Sequence, residues 1–148
     1  MSEEIKKKVI AFMSDHNICT FATIREDGFP QANTVTYAND GINIFFVTAR
    51  ASQKVKNIKF SNKVSLTIDE YYPDWSKMNK IKGISMGGNA EVLTNKEEID
   101  KAMGLLLKKF PFYANFPAMD MVVVRVIPKI IHFLDYAVAF GHQDVLKV

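Results

Sequence analysis

The chain of 148 residues contains one cysteine, Cys19. That excludes an internal disulfide framework and a multi-cysteine zinc site. Seven glycines and five prolines are too few for a collagenous or a disordered chain. No apolar run approaches the ~20 residues that a spanning helix needs, so no membrane partner is expected. The opening MSEEIKKKVI is acidic and then basic and has no apolar stretch of a secretory signal, so a cytoplasmic location is the expectation. Charge of one sign is also scarce. The net charge of +3 comes from 19 basic and 16 acidic residues spread along the chain. Without a basic patch or interleaved aromatic and basic residues, nucleic acid is not an expected partner.

The common chemical motifs are missing as well. Neither G-x-G-x-x-G nor G-x-x-x-x-G-K-[ST] occurs, and the nearest stretch, residues 83–88, lacks the lysine. His16, His132 and His142 lie far apart without metal-ligand spacing, and there is no G-x-S-x-G elbow. Cys19 falls in an apolar strand and reads as a small buried hydrophobe rather than a nucleophile.

What is present is the composition of one globular domain spanning residues 1–148, 48% hydrophobic and 24% charged. Residues 2–16 read as a helix, with Ser2 as N-cap, Glu3 and Glu4 in the first turn, and Ile5, Val9, Phe12 and Met13 on one stripe. Residues 18–24, 30–37 and 42–48 alternate as strands, separated by Asp27-Gly28 and Asp40-Gly41 turns, which predicts a meander. A short helix over residues 51–61 follows, then a strand over 64–68 and an aromatic, polar loop over 71–82. Residues 84–94 read as a strand interrupted by Gly87-Gly88. Thr94-Asn95-Lys96-Glu97 matches a capping box that opens a helix ending near Phe110. Residues 121–127 and 130–134 read as two strands joined by a Pro128-Lys129 turn, and the tail from Asp135 shows little periodicity. Six or seven hairpin-linked strands with three helices predict a mainly β, α+β fold, a small antiparallel barrel with flanking helices.

The chemically informative segment joins a strand end to a helix start, Thr48-Ala49-Arg50-Ala51-Ser52-Gln53-Lys54. The first N–H groups of a helix lack internal partners, and the helix dipole adds positive potential there. Arg50 and Lys54 add charge, Thr48 and Ser52 add hydroxyls, and Gln53 adds an amide. Such a set suits a phosphate group. Local chemistry leaves open an ordinary capped helix with solvated lysines, because Lys56, Lys59 and Lys63 make the whole stretch basic.

The ordered set of residues 20–37 (TFATIREDGFPQANTVTY), 40–48 (DGINIFFVT), 50–58 (RASQKVKNI), 63–68 (KVSLTI) and 88–92 (GNAEV) resembles the pyridoxamine 5'-phosphate oxidase-like flavin-binding split-barrel superfamily. The resemblance implies a six-stranded antiparallel split barrel that forms a homodimer with FMN at the interface. It implies that Asn33, Thr34, Val35 and Thr36 run beside the isoalloxazine ring and donate backbone hydrogen bonds. It also implies that Thr48, Ser52, Gln53 and Lys54 meet the phosphate. Many members carry Arg-Lys where this chain has Gln53-Lys54, and Arg50 is the residue that could restore the missing charge. The tail lacks the Arg and Trp that hold substrate phosphate in the namesake oxidases, so oxidation of pyridoxamine phosphate itself is not expected.

Gly88 reads either as backbone approached by flavin or a partner subunit, or as a plain bulge. Trp75 reads as a cover over a flat ring or as a packing anchor. His142, beside Phe140, is a candidate proton donor near a flavin, with a packed tail as the alternative. The implied activity is an FMN-dependent oxidoreduction of a small flat substrate. The alternatives are an FMN-binding electron carrier without its own substrate, and a split barrel holding deazaflavin or heme.

Overall fold

The structure, a computed structural model, describes residues 2–70, 72–117 and 119–148. Tyr71, the first residue of the expected aromatic loop, lies outside them. Helix α1 (Glu3–Asp15) is capped by Ser2, whose side chain accepts from the Ile5 N–H, and buries Val9, Phe12 and Met13. Strands β1 (Ile18–Ile24) and β2 (Pro30–Thr36) form the expected hairpin. Its turn holds Gly28 at φ +89°, a conformation costly for any residue with a Cβ. Strand β3 (Ala38–Asp40) and strand β4 (Asn43–Ala49) form a second hairpin, whose turn holds Gly41 at φ +58°. After β4 come α2 (Gln53–Phe60), β5 (Lys63–Asp69), β6 (Lys82–Val92), α3 (Lys96–Lys109), β7 (Met121–Asp135) and β8 (Gln143–Lys147). Short 3-10 turns cover Trp75–Lys80 and Pro111–Asn115.

One antiparallel sheet runs in the order β2-β1-β5-β6-β7-β4-β3, with β8 added to β7. One edge of β7 is shared: residues 121–126 pair with β4 and residues 130–134 pair with β8. The sheet curls around a core that includes Phe21, Tyr37, Ile44, Phe46, Leu66, Met86 and Ile131, all at most 2% exposed. The result is the expected split-barrel class, with eight strands among the described residues rather than six.

Four local expectations change. The predicted meander breaks at Tyr37, which is fully buried and donates its hydroxyl to the Met13 carbonyl at 2.6 Å. Burying that ring turns the chain between β2 and β3, so β2 and β4 stand far apart in the strand order instead of pairing. Pro128-Lys129 is not a turn. Gly87 pairs with Ile130 and Gly88 with Pro128, which leaves Lys129 as an extra residue in one continuous β7. The α3 cap is Asn95, not Thr94, because the Asn95 carboxamide accepts from the Glu98 N–H at 3.1 Å. The aperiodic tail forms β8 after a turn at residues 136–142.

Candidate functional site

Helix α2 begins where the sequence places it. Ser52 Oγ accepts from the Val55 N–H at 3.4 Å, and Thr48 Oγ1 donates to Ser52 Oγ at 3.3 Å. Both contacts are long, so the two hydroxyls retain hydrogen-bonding capacity. The α2 residues Gln53 and Lys54 have first-turn N–H groups without an intrahelical acceptor. Thr48, Ser52, Gln53 and Lys54 are therefore brought together at one helix end.

Arg50 is the exception. Its Nε donates to Asp120 Oδ1 at 2.9 Å, and its N–H donates to the Asp120 carbonyl at 3.0 Å. Both side chains are well exposed, 57% for Arg50 and 75% for Asp120. An exposed pair of this kind is worth only about 0–1 kcal/mol, so another anion can compete for the guanidinium at small cost.

The four ring-strand residues divide into two classes. In the β1–β2 ladder, Tyr37 donates to the Asn17 carbonyl and Arg25 donates to the Phe29 carbonyl. Antiparallel pairs alternate, so the odd-numbered residues of β2 spend their backbone groups on β1. Thr34 and Thr36 consequently point their N–H and C=O groups away from β1, and among the described residues β2 pairs with no other strand. The backbone of Asn33 and Val35 is committed, and Val35 packs against the core. Asn33 keeps a resource of another kind: its Oδ1 is buried and has no hydrogen-bond partner. The Thr36 hydroxyl is hydrogen-bonded to the Tyr113 hydroxyl.

The remaining candidates have these surroundings inside the chain. A Cβ on Gly88 would lie 2.4 Å from the Ile127 carbonyl oxygen and 3.0 Å from Pro128 Cα. The close approach that this glycine permits is thus that of β7. Trp75 is 74% exposed and follows the Asp69 end of β5, the end opposite that nearest α2. The tail returns beside the same segment, since Tyr136 N–H donates to the Ile81 carbonyl at 2.9 Å, and Phe140 is 83% exposed. Neither ring is brought to α2 of its own chain. His142 Nε2 lies 3.1 Å from Asp144 Oδ2, while His132 is hydrogen-bonded to Gln143. Among the described residues, no three His, Cys, Asp or Glu side chains gather as a metal cluster. No helix among them is long and apolar enough to cross a membrane.

Cys19 is 1% exposed, and burial pushes its thiol up to about 12, with the Lys109 charge pulling weakly the other way. At pH 8 it is a thiol and not a nucleophilic thiolate. The expected result with a chromogenic thiol reagent at pH 8 is no reaction in the native protein and one equivalent after denaturation. A native-state reaction at the rate of a free thiol would contradict this placement.

The sequence reading missed the group that connects the two halves of the site. Asn57 of α2 is 1% exposed. Its Oδ1 accepts from Gln53 Nε2 at 2.8 Å, and its Nδ2 donates to Thr23 Oγ1 and Gln31 Oε1, each at 2.9 Å. The partners lie 26 and 34 residues away along the chain, a separation for which periodicity carries no signal.

The model of the pyridoxamine 5'-phosphate oxidase family matches residues 5–129. The chain belongs to that family. The pyridoxamine 5'-phosphate oxidase barrel also recurs in solved structures of low sequence identity, a likeness that shows the fold. A heme binding protein from Mycobacterium smegmatis superposes with a TM-score of 0.81 at 16% identity, covering 99% of this chain and 59% of that one. The chain thus spans less than two thirds of that protein. A conserved hypothetical protein from Mycobacterium tuberculosis gives 0.78 at 21% identity, over 97% and 91% of the two chains. The heme storage protein HutZ from Vibrio cholerae gives 0.71 at 14% identity, over 99% and 95%. A comparison with curated proteins gives no match.

Proposed function

We propose that this member of the pyridoxamine 5'-phosphate oxidase family binds FMN and acts as an FMN-dependent oxidoreductase on a small, flat substrate. One observation carries the reading. An anion-suited helix start is tied, through Asn57, to a strand whose outer edge still offers hydrogen bonds. Phosphate and ring are the two ends of FMN, and the chain supplies a matching feature for each.

The residues present fit that group. Thr48, Ser52, Gln53 and Lys54, with Arg50 released from Asp120, would hold the phosphate. The free N–H groups of Thr34 and Thr36 would face ring acceptors, and the unpartnered Asn33 Oδ1 suits a ring N–H. Bound flavin supplies hydride or electron transfer. The work of the chain is to bind and orient it and to keep water from the ring.

A second copy of the chain is part of this reading. Thr20, Thr34, Ser65 and Ser85 are exposed, and the register places them on one outer face of β1, β2, β5 and β6. Side chains this small leave a sheet able to lie flat against another.

The structural neighbours that bind or store heme support a second reading, a heme-holding barrel. The absorption spectrum of the purified protein decides between the two. Flavin bands, with FMN identified by mass after denaturation, are the expected result. A Soret band with no flavin released would replace the proposal with the second reading.

A further inference from the structure

Resting on the FMN reading, we propose that Asn57 is a positioning residue that couples the phosphate end of the site to its ring end. The argument begins with an oddity of burial. Asn57 lies between Val55 and Ile58, both buried, at a place where an aliphatic side chain would satisfy the interior. An amide there brings a desolvation cost unless every hydrogen-bonding group is met. All of them are met: both Nδ2 hydrogens are donated and Oδ1 accepts.

The identity of the partners gives the amide its role. Thr23 and Gln31 face each other across the β1–β2 ladder, so the Nδ2 group grips both strands at one register position. Gln31 lies two residues before Asn33 on the same face of β2. Gln53 lies one turn before Asn57, at the first position of α2 and beside Lys54. A single amide therefore fixes where the helix start stands relative to the free edge of β2. A slip of β2 by one residue would turn Gln31 to the other face and break the grip.

A ligand that touches both ends gains from this arrangement, because the separation it must bridge is set before binding. A ligand that touches one end gains little. The readout is thus the ratio of riboflavin to FMN dissociation constants, which measures what the phosphate adds when the ring is also bound. Flavin fluorescence titration of Asn57→Leu is expected to lower that ratio about ten-fold against the wild type, within the coupling expected of groups in one network. Riboflavin affinity alone is expected to change by less than about two-fold.

Gln31→Leu is the second variant. It removes only a half-buried partner on β2, and it reads the same ratio if Asn57→Leu does not fold. It is expected to lower the ratio about three-fold. An unchanged ratio in either folded variant overturns the assignment, whether both affinities hold or both fall together as they would for a purely structural residue. A wild type that binds neither flavin overturns the FMN reading as well. Binding of FMN by the wild type with an unmoved ratio in the variants overturns the role of Asn57 alone.

Discussion

Replacing Gly88 with alanine should destabilise the protein by about 3 kcal/mol, lowering the melting temperature by roughly 10 °C. The added Cβ would sit 2.4 Å from the Ile127 carbonyl oxygen, a backbone atom that no rotamer change can move. Relief requires β6 and β7 to part at the bulge, where Gly88 faces Pro128 and Lys129 is already unpaired. These two strands pair along 11 residue positions in the middle of the sheet, so a local separation strains the barrel rather than a free edge. Gly104 is the control. It lies inside α3, is exposed, and an added Cβ there meets nothing within 4 Å. Gly104→Ala should therefore stabilise by up to about 1 kcal/mol, since glycine is the poorer helix former. Thermal unfolding of both variants is the check. A Gly88→Ala midpoint within about 2 °C of the wild type would show that the bulge relaxes freely.

The same bulge shows where the sequence stops being informative. Pro128-Lys129 carries the signature of a turn, and read locally it is one. Its tolerance within a strand depends on Gly88, 40 residues earlier, which has no side chain to oppose it. Strands β1, β2, β4, β5 and β6 were legible because alternation is a local property: in β1, Cys19, Phe21 and Thr23 face in, and Ile18, Thr20 and Ile24 face out. Their order was not, because it turns on the burial of Tyr37 against α1. The helix start at Ser52 was legible from residue types within one turn. What lay out of reach were the partners. Nothing near Arg50 announces Asp120, 70 residues on, and nothing near Asn57 announces Thr23 or Gln31. The α3 cap moved by one residue because Thr94 and Asn95 are both competent caps and only the path of the chain chooses between them.

Lys54→Met should weaken FMN binding roughly 30-fold while leaving riboflavin binding nearly unchanged, the expected loss of one charge-assisted contact to a phosphate. The size follows from how little other charge is at hand. Gln53 is neutral and already engaged by Asn57, and Arg50 is paired with Asp120. Lys54 is thus the cation of this segment that has a first-turn position and no opposing carboxylate among the described ion pairs. Methionine keeps most of the aliphatic stem, so packing along α2 changes little. Asp120→Asn should act in the opposite direction. It frees the Arg50 guanidinium and should tighten FMN binding about three-fold, the modest gain set by how weakly an exposed pair competes. The two effects should both shrink as salt is added, because each is a charge interaction near the surface. Titrations of FMN and riboflavin against both variants at two ionic strengths make the check. If Lys54→Met binds FMN as tightly as the wild type, the phosphate does not sit at the start of α2. If riboflavin weakens by the same factor as FMN, the substitution has acted on the fold and not on the oxyanion.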